Sequence, residues 1–406
     1  MVYKTNMTMH TPIRLKKGED RRIRTGHPWI FSNEINTRET PLKSFKSGEE
    51  VLVLAHDGTP LGVGYINPHS LITVRLYSEH REVKLNHAFF LAKLKAALQL
   101  RERLFTKPYY RLVFSEADGL PGLVVDRFDE HLVVQINTAG MDAHTETIKT
   151  ALTTLLTNTN SVLLRNDSAI REQEGLKRFV KPLLGEPPQL VDLIENDVHF
   201  RAPLISGQKT GWFYDHRNNR ARLKSYVINQ TVLDVFSYLG GFGVQAASFG
   251  ATHVDCIDAS AAATAMIEEN ARLNGVADKV TTICDDAFDA LKNLLQQGKQ
   301  YEVIILDPPA FVKRSKDKEA GMIAYQRINE AAIKLLAPNG ILVSCSCSMH
   351  VDMETLTAII QRAARRANAS MQLIERGHQG TDHPIHLAIP ETDYLKAIFL
   401  RKLSMK

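Results

Sequence analysis

Cysteine is scarce in this chain of 406 residues, with only Cys256, Cys284, Cys345 and Cys347. Four are too few for a disulfide framework at this length, and none has the C-x-x-C spacing of a zinc site. No metal centre is therefore expected. Long apolar runs are also missing. No stretch of 18 apolar residues exists, so no membrane span and no membrane partner are expected. The first residues, MVYKTNMTMH, lack the apolar core of a signal peptide. The G-x-G-x-x-G fingerprint of dinucleotide binders is absent, as are repeats and low-complexity tracts. These absences point to a reduced, cytoplasmic, globular enzyme whose Cys256 and Cys284, set in apolar runs, read as buried strand residues.

Charge of one sign is in modest excess. The formal net charge is +5 and the pI about 8.9, which hints at a polyanionic partner. Its distribution says more. RLKKGEDRRIR, Arg14 to Arg24, holds six basic residues against two acidic ones, and KRSKDK follows at Lys313 to Lys318. Each run alone is the pattern of a solvated face. Together they favour nucleic-acid contact.

Hydrophobic patterning divides the chain. Residues 11–75 read as short strands with turns at Asp57-Gly58 and Gly62/Gly64, as in a small β-barrel. Residues 84–105 and 144–157 read as helices. GLPGLVVDRFDEHLVVQI reads as a hairpin turning near Asp129-Glu130, and SVLLRND as a strand. LLGEPPQL is a turn-rich hinge, and VDLIENDVHFRAPL a further hairpin. From residue 231 strands and helices alternate regularly. This predicts a mostly parallel, doubly wound α/β sheet with ligands at the carboxyl ends of its strands. The expected division is 1–80 for the barrel, 81–187 for an α+β middle domain, and 188–406 for the doubly wound domain.

Five stretches carry chemistry. LDVFSYLGGFGVQAA runs from an apolar strand into Gly240, Gly241 and Gly243 and then a helix, with Asp234 inside the strand. Glycines there permit a sharp turn and close approach of a ligand. With no pyrophosphate fingerprint, the turn suits a ligand with an amino acid tail such as S-adenosylmethionine. Asp258 ends the next strand and is placed to accept ribose hydroxyls. Asp286 ends the third and is placed to accept an adenine amino group. Each of these two aspartates reads equally as a helix N-cap. Asp307 ends the fourth strand in LDPPAFVKRSKDK. There Pro308 and Pro309 fix an extended turn without backbone donors, Phe311 is placed to stack on a base, and Lys313 and Arg314 to meet phosphates. The fifth stretch, ILVSCSCSMH, ends the fifth strand. Cys345 lies within the apolar run and reads as core. Cys347 lies at the strand–loop boundary, where a side chain can reach a pocket. A thiolate there has a use: addition to carbon 6 of a pyrimidine makes carbon 5 nucleophilic.

In these residues the chain resembles the bacterial large-subunit ribosomal RNA 5-methylcytosine methyltransferases of the PUA, middle domain and methyltransferase type. RTGHPWIFSNEI is similar to the family's PUA signature. EADGLPGLVVDRF and RNDSAIREQEGL look like its middle-domain signatures, and GQKTGWFYDHRNNR like the start of its catalytic domain. FSYLGGFG, DPPAF and SCS follow in order.

The resemblance implies an RNA-binding PUA barrel, a class I methyltransferase fold, S-adenosylmethionine as cofactor and 23S ribosomal RNA as partner. It implies cofactor contacts from Gln208, Lys209, Thr210, Tyr214 and Arg217. It adds Phe236, Ser237, Tyr238 and the glycine turn, then Asp258 with Ala259, Asp286 with Ala287, and Asp307. It puts the nucleophile on Cys347, with Asp307 orienting the base; His383, in TDHP, reads either as shaping the base pocket or as a satisfied structural histidine. A homodimer is compatible with it. Tyr214 and His216 depart from the family pattern, which has an apolar residue and glutamine there. Ala310 stands where lysine is common, Cys345 where an aromatic or small residue is expected, and Met349 where glycine is common. Pro309 stands where related RNA methyltransferases carry a second cysteine. Two rival readings remain: nitrogen methylation, for instance at guanine N7, and an RNA-binding protein whose methyltransferase domain is inactive.

Overall fold

The computed structural model describes residues 10–312 and 314–404. The chain divides into two compact units. The first contains residues up to Gln189, with Pro203–Trp212 and Asp382–Thr392. The second contains Leu190–Ala202, Phe213–Thr381 and Asp393 onward.

The first unit begins with five short strands, Thr11–Arg14, Trp29–Phe31, Glu49–Leu54, Pro60–Ile66 and Ile72–Ser78. They hydrogen-bond in the order first, third, fourth, fifth, second. A bridge between Leu15 and Ile35, just past the two edge strands, closes the sheet on itself. Ile13, Leu15, Ile30, Val51, Val53, Ile66 and Val74 fill the interior. A second sheet follows, of five strands: Tyr109–Phe114, Leu123–Phe128, His131–Ile136, Ser161–Asn166 and Phe179–Leu184. Helices His87–Leu104 and Thr145–Leu155 pack together and share its core. The expected hairpin is present, with Phe128 opposite His131.

Half of the basic residues in the run at Arg14–Arg24 are paired with acidic groups of the barrel domain itself. Arg22 bonds Glu34 at 2.6 Å, Arg24 bonds Asp20 at 2.6 Å, and Arg14 meets Glu39 at 3.0 Å. Lys17 and Arg21 remain exposed. Trp29 Nε1 donates to Glu116 Oε1 at 2.8 Å, and Arg75 pairs with the same oxygen at 2.7 Å. Burial works against the Glu116 carboxylate, but Arg75 and hydrogen bonds from Ser115 and Trp29 outweigh it and hold the carboxyl below its usual range.

The second unit carries a seven-stranded sheet. Its strands are β1 (Thr231–Val235), β2 (His253–Asp258), β3 (Val280–Cys284), β4 (Tyr301–Leu306), β5 (Leu336–Ser346), β6 (Ser370–His378) and β7 (Lys396–Leu403). The order is β3-β2-β1-β4-β5-β7-β6. The first five strands pair in parallel, and β7 is antiparallel to both β5 and β6. The helices are α1 (Arg217–Arg222), α2 (Gly243–Ser248), α3 (Ala261–Leu273), α4 (Ala287–Gln296), α5 (Lys318–Leu335) and α6 (Met353–Arg366). The strand order reverses between β1 and β4, the place where open α/β sheets bind ligands. Leu233, Val235, Ile304, Leu306, Leu342, Ile398 and Leu400 form the sheet's part of a core shared with α4, α5 and α6.

One sequence expectation is corrected, and two strands lie outside what the sequence predicts. Cys284 is exposed, not buried, because β3 is an edge strand and Cys284 is its last residue. β6 was not expected: SMQLIERGH is a mostly exposed edge strand, so apolar alternation is missing from it. The strand Phe179–Leu184 was hidden for a related reason, since Pro182 sits at a bulge on the sheet edge.

Arg101 anchors the first unit. It is fully buried, and its guanidinium forks onto Asp118 at 2.6 and 2.7 Å. Arg111 O and Asp382 O accept from it at 3.0 and 2.9 Å. Removing one partner of such a pair strands the other charge in the interior. Arg101→Ala is therefore expected to destabilise the first unit by about 3–5 kcal/mol. Urea unfolding should show its transition moving to lower denaturant, and an unmoved midpoint would contradict this.

Candidate active site

The site of the second unit starts where β1 runs out. Asp234 is completely buried. Its Oδ2 accepts the Gly243 N–H at 2.8 Å, and its Oδ1 has no hydrogen-bond partner among the described residues. Burial pushes this carboxyl from 3.8 up to about 7, against the pull of the Gly243 and Ser237 hydrogen bonds; Asp307 and Asp258 push it further up. Three carboxylates from three strand ends thus share one electrostatic neighbourhood. That arrangement favours a cation.

The turn from β1 to α2 is held by its own hydrogen bonds. Ser237 Oγ donates to Asp234 O at 2.7 Å, and Gly240 N to Ser237 O at 2.8 Å. Phe236 and Tyr238 sit at φ 67° and 50°, in the left-handed region that costs L-residues energy, and Gly240 at 79°. At Gly243 the limit is contact, not φ: a Cβ there would stand 2.4 Å from Cys256 Sγ and 3.1 Å from Asp234 Oδ2. Gly241 is buried beside it.

Asp258 ends β2 with its carboxylate fixed on both sides. Oδ2 accepts Tyr238 N at 2.9 Å, and Oδ1 accepts Ser260 N at 2.9 Å. Each oxygen keeps a further lone pair for a ligand. Asp286 takes the N-cap place on α4, accepting Phe288 N at 2.9 Å and Asp289 N at 3.4 Å. Asp286 is exposed, Ala287 beside it is buried, and Ala259 after Asp258 is exposed.

Asp307, at the end of β4, has a partner that sequence reasoning noticed only as a departure. His216 Nε2 lies 3.0 Å from Asp307 Oδ1. The Asn219 amide is shared between His378 O at 3.1 Å and His216 Nδ1 at 3.2 Å, so Nδ1 accepts and the proton sits on Nε2, donated to Asp307. A glutamine amide could make the same donation. Asp307, His216 and Cys345 place one donor atom each within 4.8 Å of one another. As a metal site the trio has a handicap. Burial, then the charge of Asp307, push the Cys345 thiol well above its ordinary value and keep it protonated.

Pro308 is buried and Pro309 exposed. The half-buried Phe311 ring meets Tyr325 edge-on with centroids 4.8 Å apart, and lies 6.4 Å from both Phe236 and Phe288. Arg314 is exposed and pairs with Asp317 at 2.9 Å. Lys313 lies outside the described residues.

The S-C-S run is fixed through its serines. Ser346 Oγ donates to Tyr325 Oη at 2.9 Å, and the same hydroxyl bonds Ser348 Oγ at 2.9 Å. Ser348 Oγ also accepts Val312 N, from the loop after β4, at 3.3 Å. Tyr325 of α5 thereby ties the end of β5 to that loop, with Cys347 held between the two pinned serines. Cys345 is fully buried and Cys347 half-buried. Tyr325 carried no sequence signal beyond an aromatic in an amphipathic helix.

Tyr214 is buried, with the Arg217 guanidinium 5.2 Å from its ring centroid. Gln208, Lys209 and Thr210 fall in the first unit. Lys209 adopts φ 48°, and Thr210 is fully buried. His383 is also in the first unit, buried, with Nδ1 2.9 Å from Asp382 Oδ1 and its ring against Phe114.

The raised Asp234 carboxyl has a pH consequence. Its folded value lies above its unfolded one, so its contribution to stability is present below pH 4 and is lost as pH rises through about 7. Asp234→Asn removes that loss. Without ligand, the variant should match the wild type near pH 4 and exceed it at pH 8 by up to about 4 kcal/mol. Thermal unfolding at both pH values checks this, and a difference independent of pH would contradict it.

Two family models match the chain: a PUA-like domain at residues 13–79 and an S-adenosylmethionine-dependent methyltransferase at 148–401. It is 36% identical over 398 residues to ribosomal RNA large subunit methyltransferase I of Aliivibrio fischeri, covering 97% of this chain and all of the relative. It is 36% identical to the protein of the same name from Shewanella frigidimarina, covering 96% of this chain and 98% of the relative. Among solved structures, a methyltransferase in complex with SAH shares the fold at TM-score 0.83 and 19% identity, over 96% of this chain and all of that one. The Asp234 oxygen without a partner and the converging carboxylates fit the cationic tail of such a cofactor. The chain belongs to the S-adenosylmethionine-dependent methyltransferases, in the ribosomal RNA large subunit methyltransferase I family, with an N-terminal PUA-like domain and a class I catalytic sheet.

Proposed function

We propose that this protein methylates carbon 5 of a cytosine in 23S ribosomal RNA, through a covalent bond between Cys347 and carbon 6. The relatives named above act on large-subunit ribosomal RNA by name. The observation that carries the finer reading is the contrast between the two cysteines of β5. Cys345 is sealed in and protonated, while Cys347 is half-buried and held by pinned neighbours at a strand end. β4 and β5 are paired, with Leu306 opposite Ser344, so the Asp307 loop and the S-C-S run leave the same edge of the sheet.

S-adenosylmethionine, when bound, supplies a methyl group on an electrophilic sulfonium. The chain's own residues prepare its target. The Cys347 thiolate adds to carbon 6, and the electrons of the carbon 5–carbon 6 double bond make carbon 5 nucleophilic. Asp307, anchored by the His216 N–H, orients the base and stabilises the activated ring. After transfer, carbon 5 loses its proton and the returning electron pair expels the Cys347 sulfur. The loop Asp307-Pro308-Pro309-Ala310 carries no cysteine and so offers no thiol to take that proton. Phe311, four residues after Asp307 in the same loop, supplies an aromatic ring for the base, and Arg314 a cation for the RNA backbone. Cofactor contacts from Gln208, Lys209, Thr210, Tyr214 and Arg217, and a base contact from His383, belong to the same reading. So do the three-domain division at 1–80, 81–187 and 188–406, and RNA binding by the barrel. Nitrogen methylation would leave Cys347 without a task.

The test uses 23S rRNA fragments carrying 5-fluorocytosine, whose fluorine blocks the last step and traps the adduct. Wild type and Cys345→Ala should form a protein–RNA adduct resistant to denaturation. Cys347→Ala should form none, with methyl transfer to normal RNA down at least about a thousandfold, the scale of removing a covalent nucleophile. Undiminished transfer in Cys347→Ala would refute the covalent route.

A further inference from the structure

Lys396 is out of place by composition. It opens β7 at the head of the apolar run LysAlaIlePheLeu, yet it is only 6% exposed. Burying a lysine is costly unless its protons are taken up. Two of them are accounted for: Nζ donates to Ser348 O at 2.7 Å and to Tyr394 O at 2.8 Å. The strand register sets Lys396 directly opposite Ser346, one residue before Cys347, and its Nζ reaches the carbonyl one residue after it. Lys396 therefore flanks Cys347 on both sides in sequence, by its backbone at Ser346 and by its amine at Ser348.

We propose that Lys396 is the proton acceptor that turns the Cys347 thiol into the attacking thiolate. An amine that gives two N–H bonds to carbonyls keeps one lone pair, and an ammonium in the same place keeps one further N–H. In the step proposed, the S–H bond of Cys347 breaks and its electrons stay on sulfur. The proton forms a third N–H bond at Lys396. The neutral pair becomes a thiolate–ammonium pair with no change in total charge.

The surroundings suit this exchange. Burial lowers the Lys396 value, which favours the neutral amine, and the strongest counterweight is the charge of Cys347, ahead of Asp393 and Asp352. Asp352 caps α6 through Thr355 N and is held low by that bond. The nearby Tyr325 hydroxyl and Cys345 thiol are not available as bases, because burial pushes both up and keeps them protonated. Asp307 faces Cys345 from the β4 loop and is engaged by His216.

This inference rests on Cys347 being the nucleophile, but its test does not use methylation. The full-length protein is alkylated with iodoacetamide between pH 5.5 and 9.5, and each cysteine is followed by peptide mass spectrometry. Exposed Cys284 is the internal reference. Cys347 should titrate below Cys284. Lys396→Met should slow Cys347 alkylation at pH 7 about tenfold while Cys284 is unchanged, and Lys396→Arg, whose guanidinium cannot accept a proton, should not restore it; full recovery in Lys396→Arg would show that a fixed cation suffices and overturn the proton-acceptor role. A folded Lys396→Met protein with an unmoved Cys347 titration would show a carbonyl strut only and overturn the proposal. Wild-type Cys347 titrating no lower than Cys284 would overturn it without any variant. If Cys347→Ala still transfers methyl groups, the nucleophile reading fails instead, whatever the alkylation shows.

Discussion

One hydrogen bond organises the catalytic unit: the Gly243 N–H to the buried carboxylate of Asp234. It draws the start of α2 onto the end of β1 so closely that no side chain fits at residue 243, where Cys256 already lies. The turn between them must then be short, and Phe236, Tyr238 and Gly240 take up left-handed backbone to close it. The same bond leaves the second Asp234 oxygen buried and without a hydrogen-bond partner among the described residues. An uncompensated buried acid is costly in the free protein. Here it is compatible with a resident cation, which is what a methyltransferase of this family binds.

A second arrangement prepares the reacting end. The hydroxyl of Tyr325 bonds both serines that flank Cys347, and Val312 N from the loop after β4 joins the same network. Loop and strand end are thus one hydrogen-bonded piece. The two cysteines then differ in surroundings, not in chemistry. Cys345 is enclosed with Asp307 near it and stays a thiol, while Cys347 stands beside a buried lysine. On the proposal above, that difference decides which sulfur attacks.

The alternation of strands and helices from residue 231 was legible because parallel strands are apolar throughout and their helices are capped by Ser260, Asp286 and Asp352. The strand-end aspartates were legible for the same reason, as polar residues where apolar runs stop. Asp286 illustrates the limit: its carboxylate does bond the start of α4, as its N-cap reading required. The edge strand β6 is not legible because a half-exposed segment loses its alternation, and Cys284 reads as core only because it closes an apolar run. Three residues that shape the site carried no usable pattern. His216 was visible only as a departure, Tyr325 only as an aromatic on a helix, and Lys396 only as a charge inside an apolar strand. Their roles arise from contacts between segments more than 20 residues apart.

The central claim is that the pocket directs a methyl group to carbon 5 of cytosine in large-subunit ribosomal RNA. The direct measurement is a nucleoside analysis. 23S rRNA is incubated with the protein and S-adenosylmethionine carrying a labelled methyl group, then digested to nucleosides and separated by mass. The account predicts label in 5-methylcytidine. Label in 7-methylguanosine or another nitrogen-methylated nucleoside would contradict it.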